Sequence, residues 1–261
     1  MVSGISKTPH VMNIEIDLKK AIDAVAEASK ILILTGAGVS AESGVPTFRG
    51  CSNTWRGMPF QELSSARMVS EDLPLVWEWF DYRRGIISGC EPNAAHNAIA
   101  AAQQNERYEK ISLVTQNIDG LHRAAGSTDI IELHGHINTA RCLGCGHLSS
   151  LFTLPEDERP PVCPACADSM RPHVVLFGEA LNEDDLLDSY EMAAQCDVCI
   201  VVGTSAVVYP ANYIPQISKR EGAFLIEVNP EETELTHAFD VSIRTTACDA
   251  LPEILGIKAS R

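Results

Sequence analysis

Four cysteines in two close pairs carry the most specific chemistry in this 261-residue chain: Cys142-x-x-Cys145 and, seventeen residues on, Cys163-x-x-Cys166. Each pair can form one knuckle, and four thiolates satisfy a tetrahedral zinc ion. They leave no coordination position for a substrate, so such a metal is structural rather than catalytic. Buried free thiols would need neither the repeated spacing nor the turn-rich segment that holds it. Cys196-x-x-Cys199 repeats the spacing but opens an apolar strand with no second pair nearby, and reads as core thiols. Cys51 and Cys90 carry no readable role.

A second signature is Gly36-Ala37-Gly38-Val39-Ser40-Ala41, directly after the apolar run 31–34 and followed by Gly44-Val45-Pro46-Thr47-Phe48-Arg49. A buried strand entering a Gly-x-Gly-x-x-Ala turn commonly cradles a nucleotide pyrophosphate. The glycines let backbone N–H groups approach the phosphates, and a helix N-terminus faces them. Alone, the short motif is weak. A dehydrogenase places an acidic residue for the ribose roughly 20 positions on. Here residues 54–60 are neither strand-like nor acidic. A dinucleotide held by this turn would serve chemistry other than hydride transfer.

Elements that could position these groups alternate along the chain. Helical spacing covers 17–30, with Leu18, Ile22, Val25 and Ala26 on one face, then the aromatic-rich 51–93, about 94–104, and 182–195. Strands are expected at 31–34, 111–115, 130–133, 174–177, 198–202, 224–228 and 241–244. The alternation predicts an α/β fold with a doubly wound parallel sheet. Ligands of such sheets gather at the carboxyl ends of the strands. Polar groups sit at those ends: 36–40, 116–119, 203–205 and 229–231.

Composition narrows the partners. Twenty basic and 35 acidic residues leave a formal net charge of −15, which disfavours nonspecific nucleic-acid binding. The charge suits a basic partner such as a lysine-rich peptide, or serves only solubility. No stretch approaches the ~20 apolar residues of a membrane helix. The first 20 residues lack a signal-peptide core and contain no Arg. Free cysteines fit a reducing compartment. An intracellular location is expected, cytoplasm or nucleus ahead of mitochondrion.

Taken together these residues resemble the sirtuin family of NAD-dependent protein-lysine deacylases. The matched motifs are Gly36-Ala37-Gly38-x-Ser40, Gly44-Val45-Pro46-x-Phe48-Arg49, Thr115-Gln116-Asn117-Ile118-Asp119 and Leu133-His134-Gly135. The four cysteines follow, then Val174-Val175-x-Phe177-Gly178-Glu179, Gly203-Thr204-Ser205 and Val228-Asn229. They fall in family order across 31–252. The resemblance implies a Rossmann-type NAD-binding domain built from 1–50, 94–138 and 173–261, a helical module at 51–93, and a zinc-binding module at 139–172. It also implies a cleft taking NAD from one side and acyl-lysine peptides or proteins, histones among the candidates, from the other.

The same resemblance assigns roles. NAD is a co-substrate: nicotinamide leaves, the acyl oxygen attacks the ribose, and O-acyl-ADP-ribose is released. His134 is the candidate base, with Gly135 breaking the alternation that would aim His136 the same way. Gln116 meets ribose hydroxyls. Asn117 and Asp119, flanking Ile118, hold the nicotinamide carboxamide, although an Asp at a strand end is also an ordinary helix cap. Phe48 and Arg49 belong to a covering loop. Gly203, Thr204 and Ser205 meet phosphate and ribose. Asn229, with Pro230 and Glu231, meets the adenosine ribose, and Cys248 lies by the adenine. The peptide adds as a strand, with Val175 accepting the lysine N–H and Phe177 lining its stem. His96, His122 and His173 read as core or surface residues.

The stretch 48–84 is most similar to class III sirtuins, which remove succinyl and malonyl groups with a Tyr-x-x-Arg pair. Here it reads Phe80-Asp81-Tyr82-Arg83. Arg83 keeps the carboxylate-binding charge, and Phe80 lacks the hydroxyl. Ser64 stands at that class's usual alanine position. The expectation is a deacetylase with weakened acidic-acyl activity. Mono-ADP-ribosyl transfer and a non-catalytic NAD-sensing, zinc-containing interaction protein are the competing readings. The sequence gives no oligomeric state.

Overall fold

The computed structural model describes residues 9–47, 54–154, 159–205 and 207–257. Phe48, Arg49 and Cys51 lie outside them. From the N-terminus, α1 (Pro9–Glu27) leads into β1 (Lys30–Thr35) and a seven-residue 3-10 helix (Ala37–Ser43). A short hairpin, β2 (Thr54–Trp55) and β3 (Met58–Pro59), precedes α2 (Phe60–Leu63), α3 (Ala66–Glu71) and α4 (Leu73–Ile87). Then come α5 (Ala94–Gln103), β4 (Lys110–Thr115), α6 (Leu121–Ala124), β5 (Ile130–Glu132), β6 (Gly135–Cys142), β7 (Leu148–Ser150) and β8 (Met170–Val174). The chain continues through α7 (Glu183–Gln195), β9 (Val198–Val202), α8 (Tyr213–Arg220), β10 (Phe224–Val228), β11 (Val241–Ile243) and α9 (Ala247–Ile254). No helix among the described residues is long and apolar enough to cross a membrane.

Six strands form one parallel sheet in the order β11-β10-β9-β1-β4-β5. The runs Ile31 to Leu34 and Val198 to Val202 are apolar on both faces because helices cover both. One face packs Ala21, Val25 and Ala28 of the α1 region with α5 and α9. The buried face of α1 is thus Leu18-Ala21-Val25, continued by Ala28 just past its end, and Ala26 is exposed. From β1 the chain winds out to β4 and β5, then crosses to β9 on the other side of β1. The winding reverses between β1 and β9, where sheets of this type open a crevice at their carboxyl ends.

The small half is assembled differently. β7-β6-β8 form an antiparallel sheet. Trp77 of α4, 0% exposed, closes its core with Ala140, Cys142, Leu151, Cys163 and Met170. The indole N–H of Trp77 donates to the Met170 carbonyl at 2.9 Å, which satisfies the one polar atom of a buried ring. Asp72 caps α4 by accepting from the Leu75 N–H.

The strand expected at 174–177 is corrected. β8 spans Met170–Val174 and belongs to this antiparallel sheet. Beyond it, Phe177 makes only an isolated parallel bridge with Ser65. The apolar run continues past the strand because Val174 and Leu176 pack into the core of the helical module with Leu63, Trp79 and Phe80.

Candidate active site

One cavity of about 860 Å³ opens between the parallel sheet and the small half. Its floor includes Gly36, Ala37, Gln116, Asn117, Ile118 and Asp119, and beside them His134, Gly203, Thr204 and Ser205. Its opposite wall includes Ser64, Phe80, Arg83, Val175 and Phe177. Asn229 does not line it but donates its side-chain N–H to the Thr204 carbonyl at 2.9 Å. Pro230, Glu231 and Cys248 lie outside the lining, as do Gly38 and Ser40.

The glycines do something other than the motif suggests. The Gly36 N–H donates to the Val202 carbonyl at 3.0 Å, and that of Gly38 to the Gly203 carbonyl at 2.8 Å. A Cβ on Gly38 would meet the Gly203 Cα at 2.6 Å, and one on Gly203 would meet the Val39 N at 2.5 Å. These glycines let the loops after β1 and β9 interlock backbone against backbone. The N–H groups of Gly36 and Gly38 themselves are thereby bonded inside the protein.

Ser40 lies beneath the floor, fully buried. Its hydroxyl donates to Asp119 Oδ2 at 2.8 Å and accepts from Asn117 Nδ2 at 3.1 Å. His96 Nε2 lies 3.3 Å from the same oxygen. Asp119 is therefore held from below, and its other oxygen accepts the N–H of Leu121, the first residue of α6, at 2.9 Å. Behind this, His122 Nε2 meets Thr35 Oγ1 at 3.0 Å, and Thr35 donates to Thr115 at 2.8 Å. His122 Nδ1 meets no hydrogen-bonding partner among the described residues. Burial pushes the imidazoles down, to about 4 for His96 and about 3 for His122. Both are core residues, as expected. Sequence reasoning missed that His96 supports the floor through Ser40.

His134 follows β5 and faces the cavity. Its Nδ1 lies 2.8 Å from the Gln116 carbonyl. A carbonyl only accepts, so Nδ1 carries the proton and the neutral ring keeps its lone pair on Nε2. Burial holds the imidazole below its ordinary 6.5, partly offset by that carbonyl. Gly135, at φ +78°, turns the chain, and a Cβ there would meet the His173 carbonyl oxygen at 2.2 Å. His136 is thereby sent against Gly120, outside the cavity lining. The Val175 N–H donates to the His134 carbonyl at 2.9 Å, joining the base to the opposite wall.

On that wall Phe80 is 1% exposed. The Arg83 guanidinium packs over the Trp79 and Phe80 rings, 5.7 and 5.5 Å from their centroids. Burial lowers the Arg83 pKa to about 10, against the pull of the Asp119 charge. Tyr82 is 49% exposed and stacks on Trp79, away from the lining. Ser64 accepts the Trp79 indole N–H at 2.9 Å. Phe177 is half-exposed, and both its backbone groups are committed, to the Ser64 carbonyl and the Ala66 N–H. Gly178 and Ala180 of this loop are also exposed. The sequence reading also passed over Val208 and Tyr209 at the cavity mouth, the latter 72% exposed. The available signal was the run Val207-Val208-Tyr209 directly beyond the polar Gly203-Thr204-Ser205 turn.

The four cysteine sulfurs lie within 4.8 Å of one another, with Cys142 and Cys166 at 3.4 Å and Cys145 and Cys163 at 3.7 Å. Zinc–sulfur bonds of ~2.3 Å in a tetrahedron separate sulfurs by about 3.8 Å, so the cluster fits one structural zinc ion. None of the four lines the cavity.

A model described as the Sir2 family matches residues 36–210. An Aquifex aeolicus protein named NAD-dependent protein deacylase is 44% identical over 87% of this chain and 95% of its own length. Among solved structures, a Sir2 homologue in complex with NAD matches at 39% identity and TM-score 0.85, covering 91% of this chain and 92% of that one. A Sir2–p53 peptide–NAD+ complex matches at 28% identity and TM-score 0.80, over 92% and 97%.

Proposed function

The chain belongs to the Sir2 family, and from that premise we propose that it is an NAD-dependent protein-lysine deacylase. The observation that carries the reading is His134: a half-buried imidazole with its proton fixed on Nδ1 and Nε2 left as lone pair, where the two walls of the cavity meet. Breaking the nicotinamide–ribose bond of the co-substrate supplies the electrophilic ribose carbon that accepts the acyl oxygen.

The rest of the work falls to side chains. Asn117 and Asp119, braced by Ser40, orient the carboxamide so that nicotinamide departs. Gln116, anchored on Thr204 at 3.2 Å, positions ribose hydroxyls. His134 Nε2 takes the proton of one of them. Gly36, Ala37, Thr204 and Ser205 enclose the phosphate end, and Asn229 supports it through Thr204. Pro230, Glu231 and Cys248 serve the adenosine end. Phe48 and Arg49 are assigned to the cover by motif alone. Val175 and Phe177 receive the lysine stem. The peptide backbone pairs at the exposed Gly178 and Ala180, because the Phe177 backbone and the Glu179 N–H are already bonded.

For the acyl group, Arg83 supplies a charge at the closed end and Phe80 leaves one hydrogen bond to a carboxylate unmade. That omission costs about 1.5–3 kcal/mol, roughly tenfold to hundredfold in affinity. The enzyme therefore favours acetyl over succinyl and malonyl. Nicotinamide release is measured on acetyl-, succinyl- and malonyl-lysine peptides with wild type and Arg83→Met. The Asp119 charge acts on Arg83, so the substitution also lowers acetyl turnover. The informative quantity is the ratio of acidic-acyl to acetyl turnover, expected to fall about tenfold. An unchanged ratio removes the carboxylate role. ADP-ribosylated protein in place of O-acyl-ADP-ribose would reject deacylation itself.

A further inference from the structure

Arg171 of β8 is a charged residue only 4% exposed that touches no expected ligand. Its Nη1 bonds Glu179 Oε1, and its Nη2 reaches Glu179 Oε2 at 3.1 Å and the Val174 carbonyl at 2.8 Å. Its Nε donates to the Pro172 carbonyl at 3.2 Å. Glu179 Oε2 also accepts the Leu176 N–H at 2.9 Å, and the Glu179 N–H donates to the Leu176 carbonyl at 3.0 Å. The segment 174–179 is thus a loop closed on itself by one carboxylate and clamped to β8 by one guanidinium. It contains Val175 and Phe177, and its Val175 N–H is bonded to His134.

The pair sits where an ion pair is costly. Arg171 lies opposite Arg141 across the β6–β8 ladder, a like-charge arrangement that disfavours pairing. Burial of Glu179 opposes its ionisation, yet the Arg171 hydrogen bond and the Leu176 N–H hold its pKa below the usual range. Apolar residues would fill the same space without desolvating two charges. A planar bidentate fork, however, fixes the direction of a loop in a way apolar contact does not.

We propose that Arg171 and Glu179 are positioning residues for the acyl-peptide: they hold the 174–179 loop in its receiving geometry and set peptide affinity independently of dinucleotide affinity. The inference rests on the deacylase reading, whose own failure would appear as wild type releasing no nicotinamide. The test compares wild type, Glu179→Gln, and the double variant Arg171→Met/Glu179→Leu, which removes both charges together. Peptide KM is measured with acetyl-lysine peptide at saturating NAD, NAD affinity by calorimetry, and folding by circular dichroism. The double variant is expected to raise peptide KM about tenfold, the worth of one lost charged hydrogen bond, with NAD affinity within about twofold. Glu179→Gln, which keeps the shape and one acceptor, falls between. An unchanged peptide KM in the folded double variant overturns the proposal, as does an equal loss of NAD affinity. Should the double variant not fold, Glu179→Gln decides alone: a peptide KM equal to wild type overturns it.

Discussion

The two walls of the cleft are built by different physics. The floor under the dinucleotide is backbone: parallel strands whose ends are locked by glycines, with Gly38 and Gly203 in direct backbone contact. The peptide wall is an assembly of loops and short elements tied by side chains: four thiols, the Trp77 indole, the Trp79–Ser64 bond and the Arg171–Glu179 clamp. A backbone wall tolerates little substitution but needs no ligand to form. A side-chain wall can change specificity by single residues, and depends on its ties.

Metal removal should separate the walls most sharply. Structural zinc contributes ~10–16 kcal/mol of folding free energy in small modules. Chelation, or Cys163→Ser, is expected to release one zinc, measured with a metallochromic dye, and to abolish turnover. The parallel sheet should persist, so calorimetric NAD binding should survive. Loss of NAD binding in step with the metal would show that the walls fold as one unit.

His134→Ala comes next, because His134 touches both walls. Loss of a general base typically costs 10²–10⁴ in rate. That reduction is expected in kcat, with NAD and peptide affinities unchanged. A variant retaining full turnover would displace His134 from its role.

The same contrast decides what the sequence made legible. Strands 31–34, 111–115, 198–202 and 224–228 were readable because short, largely apolar runs between turn signals have one buried solution. The cysteine spacing was readable because tetrahedral geometry dictates it. The 174–177 run reads as a strand throughout, but past Val174 the buried Leu176 packs against helices rather than in a ladder, and periodicity does not distinguish the two. Ser40 was legible as a motif residue but not as a brace beneath Asp119, since that depends on a contact across 79 residues. Glycine spacing revealed a close approach without revealing that the partner was another loop.

A glycine pair on opposite walls offers a smaller effect. Gly203 has φ +60°, and its added Cβ would strike backbone at 2.5 Å, whereas Gly178 has φ +90° and open space around it. Both alanine substitutions incur left-handed strain of order 1 kcal/mol. Gly203→Ala adds overpacking of about 1–3 kcal/mol. Denaturant midpoints should therefore fall further for Gly203→Ala, and NAD affinity with it. Gly178→Ala should act on peptide KM. Equal destabilisation would mean that the floor relaxes as easily as the loop.

The last effect is a pH slope, and it belongs to the floor. His96 and His122 have native pKa values of about 4 and about 3, below the ordinary 6.5. Below pH 6.5 the unfolded chain therefore binds protons that the native state refuses. Stability rises with pH through that interval and is lost as pH falls, by up to about 1.4 kcal/mol per pH unit for each histidine. Above 6.5 neither contributes a slope. Urea unfolding between pH 7 and 5 should show this decline, and His122→Asn should flatten it by the share of one proton. The His122 ring packs edge-on to His96 at 4.7 Å, so charging one also raises the cost of charging the other. An identical slope in wild type and variant would place the acid sensitivity elsewhere, and would leave the backbone floor no more pH-dependent than the peptide wall.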